Sequence, residues 1–424
     1  MSVRPTFREA LRFWLKLGFI SFGGPAGQIA VMHTELVERK RWIGEEQFLH
    51  GLNFCMLLPG PEATQLATYC GWVLHGVRGG LVAGILFVLP AAVLLWGLSW
   101  VYVVHGSVPW LAAIFTGLKP AVTAIVVAAV IRLGAKALRG AAAWYIAAGA
   151  FAAIYFLQVS FPVIVAGAAV AGFLGVTQRG GAGGHPKPAQ AERPAPAGPR
   201  SGGWVRSGRV LAIALVLWWA PVIAAGLWQG WDGVLVREGV FFSKAALVTF
   251  GGAYAVLPYV GQQAVGTHAW LTAPQMLDGL GLAETTPGPL IMVVQFVGFL
   301  GGWNQPGALP PLVMATLGAA ITIWTTFVPC FLWIFLAAPH LERWRSHARL
   351  RGALAAVTAA VVGVVLNLAV WFGCQVFFPG SATIDGFALV VAVGAFGALQ
   401  RFKLGVVPVV LVSGVLGLVW RFIP

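Results

Sequence analysis

The sequence predicts an all-α polytopic membrane protein: two homologous halves form an inverted-topology repeat, with helices broken or re-entrant at Gly-Gly and Pro-Gly-Pro breaks and one extra linking helix. Three observations predict it. Apolar residues make up 59% of the 424-residue chain and charged residues only 9%, against about 25% charged in a soluble domain. Long runs, among them 79–104, 140–178, 285–341 and 352–384, hold no Asp, Glu, Lys or Arg, and a bilayer core takes about 20 residues per helix. The chain also repeats itself: Phe22-Gly23-Gly24 returns as Phe250-Gly251-Gly252, an offset of 250 − 22 = 228. At that offset Phe13, Lys16, Trp42, Gln47, Gly51, Pro59, Gly60 and Pro61 meet Phe241, Lys244, Trp270, Gln275, Gly279, Pro287, Gly288 and Pro289. Paired apolar copies with matching breaks are the sequence pattern of a secondary transporter.

In order, residues 1–178 form the first transporter repeat, 179–209 a flexible basic linker rich in Gly, Pro and Ala, 210–236 a linking transmembrane helix, and 237–424 the second repeat. Uncharged helices are expected near 79–104, 109–131, 142–157, 161–177, 210–228, 309–338, 351–373, 384–400 and 404–420. Gly117 and Val122-Thr123-Ala124 match Gly352 and Val357-Thr358-Ala359, so the repeat runs past its motifs.

The net charge of +14 reads as cytoplasmic loops under the positive-inside rule rather than as nucleic-acid binding. Arg132, Lys136 and Arg139 read as one basic loop, the linker as the next, then Arg343 to Arg351, then Arg401 and Lys403. Placing these inside the cell makes the odd helix at 210–228 flip the second copy. Each broken segment is either a re-entrant hairpin or a full span; both keep the inversion, and arms of 10–15 apolar residues favour hairpins. Cys55, Cys70, Cys330 and Cys374 lie in apolar segments with no CxxC pair, so no metal site is expected. No cofactor motif or Walker loop occurs, and no enzyme activity is expected.

A helix broken inside a bilayer exposes backbone that only protein or a wet cavity can satisfy. The helix that restarts aims free N–H groups at that cavity, which suits an oxyanion. The expected anion site therefore comprises Gly23, Gly24, Pro59, Gly60 and Pro61 with Gly251, Gly252, Pro287, Gly288 and Pro289, joined by Thr285 and Thr286. Lys16 and Lys244, matched by the repeat, either attract the anion or snorkel to the interface. Glu62 and Glu284 beside the breaks are candidates for proton coupling, since an intramembrane carboxylate is costly; each also suits a half-helix cap. Gln28, Thr64, Gln65 and Gln295 are secondary polar lining.

At these residues the chain resembles the chromate ion transporter family, in its bidomain long-chain form. The resemblance rests on Ser21-Phe22-Gly23-Gly24-Pro25-Ala26-Gly27-Gln28-Ile29, Leu58-Pro59-Gly60-Pro61-Glu62-Ala63, Thr249-Phe250-Gly251-Gly252-Ala253-Tyr254 and Glu284-Thr285-Thr286-Pro287-Gly288-Pro289. It implies a multi-pass protein of the bacterial inner membrane that exports chromate, confers chromate resistance, and meets sulfate as an isosteric competitor. An anion channel or a sulfate transporter on the same scaffold is the alternative. Its partners would be the oxyanion and the lipid bilayer; the sequence admits a homodimer without requiring it.

Overall fold

The structure is a computed structural model that describes residues 5–106, 108–176, 204–250, 252–337, 348–380 and 383–422. The described residues are helical throughout, without strands. Five helices are long and apolar enough to cross a membrane: Glu62–His105, Pro109–Ala137, Gly208–Gln229, Pro311–Ala337 and Gly352–Phe377. The protein is a multi-pass membrane protein.

The first copy opens with α1 (Phe7–Ile20), fixed at its start by a Thr6/Glu9 capping box. α2 (Gly24–His33) starts at the first break and continues as a π-helical turn over Thr34–Arg39. The second copy repeats this plan: α9 (Val234–Val248), α10 (Ala253–Gly261) and a π-helical turn over Gln262–Thr267. The two π turns sit at the same offset, 262 − 34 = 228. Both pairs of arms are hairpins. Phe13 in the middle of α1 lies 5.3 Å from the Trp42 ring, and its counterpart Phe241 lies 5.7 Å from Trp270. A continuous helix would hold residues so far apart in sequence about 40 Å from each other, so the chain turns back at the glycines. The open choice between hairpin and full span resolves to the hairpin.

α3 (Glu45–Cys55) enters the second break, and α4 (Glu62–His105) leaves it. α4 doubles back at His75 and Gly76, whose backbone is non-helical. A Cβ on Gly71 would press on Gly79 and Ala83, which fixes limb 62–74 against limb 77–105. The second copy makes the same path with α11 (Ala273–Thr285), a short 3-10 turn at Leu290–Met292, α12 (Val293–Asn304) and α13 (Pro311–Ala337).

α5 (Pro109–Ala137), α6 (Ala141–Tyr155) and α7 (Phe161–Phe173) close the first copy, and α14 (Ala348–Phe377), α15 (Gly386–Gln400) and α16 (Val406–Trp420) close the second. These triads are exchanged. α5 packs on α15 and α16 of the other copy, while α14 packs on α6 and α7. The closest approaches use small residues, as helices in lipid do: Gly117 faces Gly417, and Gly172 faces Gly352. Each such contact has its mirror in the other copy, the signature of a two-fold relation.

α8 (Trp204–Gln229) is the extra linking helix and covers α9. It begins before the expected residue 210 and takes in Arg206 and Arg209; the rest of the expected linker lies outside the described residues. The hairpins return to the side they left, so the 77–105 limb, α5, the α6–α7 pair and α8 make an odd number of crossings. The second copy is therefore inverted. Two charge assignments are corrected: Arg349 and Arg351 belong to the first turn of α14, and Arg132 and Lys136 to the last turns of α5, rather than to loops; α5 continues through Ala135 and Ala137 until Leu138 leaves the helical region.

Candidate functional site

The four breaks meet at the centre, and they pair across the copies. The Gly60 N–H donates to Thr249 O at 2.7 Å, and the Gly288 N–H donates to Ser21 O at 2.7 Å. Gly288 matches Gly60 and Thr249 matches Ser21 at the repeat offset, so one bond is the two-fold image of the other. Each Pro-Gly-Pro of one copy is thereby tied to the residue before the Phe-Gly-Gly of the other. Only glycine fits: φ is +120° at Gly60 and +104° at Gly288, and a Cβ on Gly288 would stand 2.5 Å from that of Ala91. Such φ values belong to glycine for steric reasons.

This pairing corrects one expectation. The Gly60 and Gly288 N–H groups, expected to be free for an anion, are engaged in backbone bonds. The helix starts that remain beside the crossing are those of α2, α4 and α10, with Gly23, Gly24 and Gly252 at or next to their first residues. Gly251 lies outside the described residues. Pro59, Pro61, Pro287 and Pro289 flank the bonded glycines and hold the chain extended there.

The carboxylates stand close to this crossing. Glu62 is the first residue of α4, and a Cβ on Gly252 would lie 3.4 Å from its Oε1. Glu284, only 5% exposed, accepts a hydrogen bond of 2.6 Å from Tyr254 Oη. Both belong to breaks of opposite copies yet sit by α10. The Thr285 and Thr286 hydroxyls donate back to Leu282 O at 2.8 Å and Ala283 O at 3.1 Å, closing the end of α11. Gln28 Nε2 bridges the copies through Gly288 O, and Gln65 Nε2 donates to Pro59 O at 2.7 Å. Gln28 Oε1, Gln65 Oε1 and Thr64 Oγ1 remain buried without hydrogen-bond partners beside the breaks.

Lys16 and Lys244 occupy the exposed flanks of α1 and α9. Burial first, then the charges of Arg237 and Lys244, push the His268 imidazole below its ordinary value. The cations whose charge reaches the site carboxylates are others. Lys136 acts on Glu62, and Arg132 acts on Glu284. They are four residues apart on one face of α5, a spacing readable in the sequence, but their approach to the breaks is not.

A second feature escaped the sequence reading. Asp278 of α11, 4% exposed, accepts from Tyr102 Oη at 2.9 Å and stands 3.6 Å from Lys119 Nζ. This cluster fastens the second copy's hairpin to α4 and α5 of the first. A cavity of about 210 Å³ lined by Tyr102, Gly106, Gln275, Trp303 and Asn304 opens beside it. The cysteines are free: Cys55, Cys70 and Cys330 are buried and Cys374 is exposed, the last because it lies near the end of α14.

Comparison with known proteins agrees with this architecture. The family described as "Chromate transporter" matches residues 8–173 and 238–418, one match per copy, leaving out the linker and α8. A "Chromate transport protein" of Pseudomonas aeruginosa is 34% identical over 432 residues, covering 97% of this chain and 91% of that one. A "Chromate transport protein" of Cupriavidus metallidurans is 29% identical over 406 residues, covering 94% and 89%. An "Uncharacterized transporter MJ0718" of Methanocaldococcus jannaschii is 24% identical over 418 residues, covering 97% and 94%. No solved structure matches the chain. The chain belongs to the chromate transporter family.

Proposed function

We propose that this protein is a secondary transporter that carries chromate out of the cell across the bacterial inner membrane and so confers chromate resistance. The observation that carries the reading is the reciprocal crossing of the breaks, with the helix starts of α2, α4 and α10 and the Glu62 and Glu284 carboxylates around it. Helix N-termini and buried amides favour a tetrahedral oxyanion. Arg132 and Lys136 draw the dianion toward the crossing, and the half-helices take over its charge. Inverted copies then exchange conformations, which moves access from one face to the other.

The membrane potential favours export. Moving a dianion out of a negative interior gains about 4.6 kcal/mol per 100 mV, so no ATP is needed. Glu62 and Glu284 are suited to proton coupling, because a bound dianion beside a carboxylate favours the neutral acid. Sulfate has the same shape and charge and is expected to compete.

The test is uptake of radiolabelled chromate into inverted membrane vesicles under imposed potential or pH gradients, with sulfate as competitor. Saturable uptake that rises with an inside-positive potential is expected. Flux that never saturates would favour a channel, and reduced chromium inside the vesicles would favour an enzyme. Preference for sulfate at equal concentration would make this a sulfate carrier.

A further inference from the structure

Glu238 is a buried acid that the mechanism above does not use. It lies one turn into α9, is 0% exposed, and neither carboxyl oxygen has a hydrogen-bond partner. Its surroundings are glycine-built. A Cβ on Gly301 would strike Glu238 Oε1, and one on Gly318 would stand 2.8 Å from Oε2. The carboxyl therefore fills the seam where α9, α12 and α13 meet. Two more polar groups in that seam are also without partners. The Trp270 ring shares the Gly301 surface with Glu238, and its Nε1 is unbonded; Thr322 Oγ1, also unbonded, faces Gly298, which packs on Gly318.

A carboxylate cannot stay charged in such a place without donors; burying it unpaired costs several kcal/mol. Charged groups do not rescue it. Among the described residues, α12 and α13 carry no charged side chain, and Arg206 and Arg209 of α8 sit at that helix's far end. α10 contributes only Tyr254 and Tyr259 as titratable groups. On α9 itself Arg237 is exposed and bonded to Gln305 at 2.9 Å, and Lys244 is exposed. From the connection before α11, His268 stacks on the far partner, Trp270, at 4.4 Å.

The repeat makes the residue informative. Its counterpart in α1, at 238 − 228 = 10, is Ala10. The two copies are thus unequal at this point: only the copy whose hairpins open toward the outer face carries the acid. The helix that bears it, α9, ends at Val248, next to Thr249 and the crossing. A small shift of α9 against the α12–α13 seam would bring the Trp270 N–H and the Thr322 hydroxyl to the carboxyl, or open it to the water beyond Gln305.

We infer that Glu238 is a proton-binding site, loaded from the outer face, whose protonation sets the position of α9 and so couples proton entry to movement at the crossing. Protonation converts the carboxylate to the neutral acid that the seam accepts; loss of the proton drives α9 toward its donors. This rests on the transport reading, but the site itself is testable without flux.

The experiment uses the full-length protein in proteoliposomes, wild type and Glu238→Gln, which keeps the neutral acid's shape. Infrared spectra at neutral pH are expected to show a protonated carboxyl band that Glu238→Gln lacks and that changes when chromate is added. Chromate transport driven by a pH gradient is expected to fall about tenfold or more in Glu238→Gln, while transport driven by an imposed potential persists. Absence of the band in wild type overturns the inference. So does a band indifferent to chromate together with an unchanged pH-gradient response in Glu238→Gln. If wild type carries no chromate at all, the transport reading fails, and the band alone then decides for or against the proton site.

Discussion

The two copies share one chain path but not one environment. In the first copy Phe22 and Gly23 are exposed, α2 and α3 rest mainly on α4, and the outer flank of α1 is bare. In the second copy Gly252, Ala253 and Pro287 to Pro289 are buried, α10 packs on α14, α11 packs on α5 and α16, and α8 and α13 cover α9. Position 278 fastens its hairpin through Lys119 and Tyr102, where the first copy has His50. The difference shows that a shared chain path does not impose a shared environment. Two equal copies would leave both faces alike; here one pair of hairpins is clasped and the other loose.

The sharpest way to break this comparison is at the matched glycines. Gly288→Ala adds a Cβ against Ala91 in rigid helix and forces a disfavoured φ, costing about 3 kcal/mol or more. Gly60→Ala meets the movable Gln65 amide and Cys330 Sγ instead, so about 1–2 kcal/mol is expected. Thermal unfolding in detergent should rank Gly288→Ala well below Gly60→Ala; equal losses would mean that the two crossings are energetically the same.

Next in size is the clasp. Asp278→Asn keeps the side chain's shape but removes its charge from Lys119, at about 2–3 kcal/mol. Loosening the second copy should raise outer-face accessibility, read as faster labelling of a cysteine placed at Gln275. Labelling no faster than in the Asp278 parent would leave the cluster as packing alone.

A smaller effect separates two pairs of cations. Arg132→Gln or Lys136→Gln should raise the chromate KM roughly tenfold, equal to about 1.4 kcal/mol. Lys16→Gln and Lys244→Gln should change it less. The reverse ranking would return the anion-attracting role to the lysines matched by the repeat.

Last comes a test with no energetic cost. Cys374 and position 139 correspond at the offset of the Gly117 and Gly352 match, 352 − 117 = 235. An impermeant maleimide should reach Cys374 only from outside, and Arg139→Cys only from the cytoplasm. Labelling of both from one side would refute the inversion.

Much of this was legible early because the breaks are local chemistry. Gly-Gly and Pro-Gly-Pro cannot continue a helix wherever they occur, so Gly24 and Gly252 open new helices as expected. The positions that act across the molecule were harder. Arg132 and Lys136 look like loop residues because the apolar run ends before them, yet the helix continues. Glu238 looks like the last polar residue before an apolar stretch, and Asp278 like an ordinary surface acid beside Gln275.

By itself the sequence determined the membrane class, the repeat, its inversion through the odd α8 and the glycine and proline breaks, since composition, charge bias and backbone sterics act within a few residues. The tertiary structure alone decided that the copies exchange their α5 and α14 partners, that Gly60 and Gly288 use their amides on each other's copy, and that Glu238 is left without a partner. Those outcomes depend on which surfaces meet across more than two hundred residues of chain, and residue type does not encode the neighbour that folding will supply.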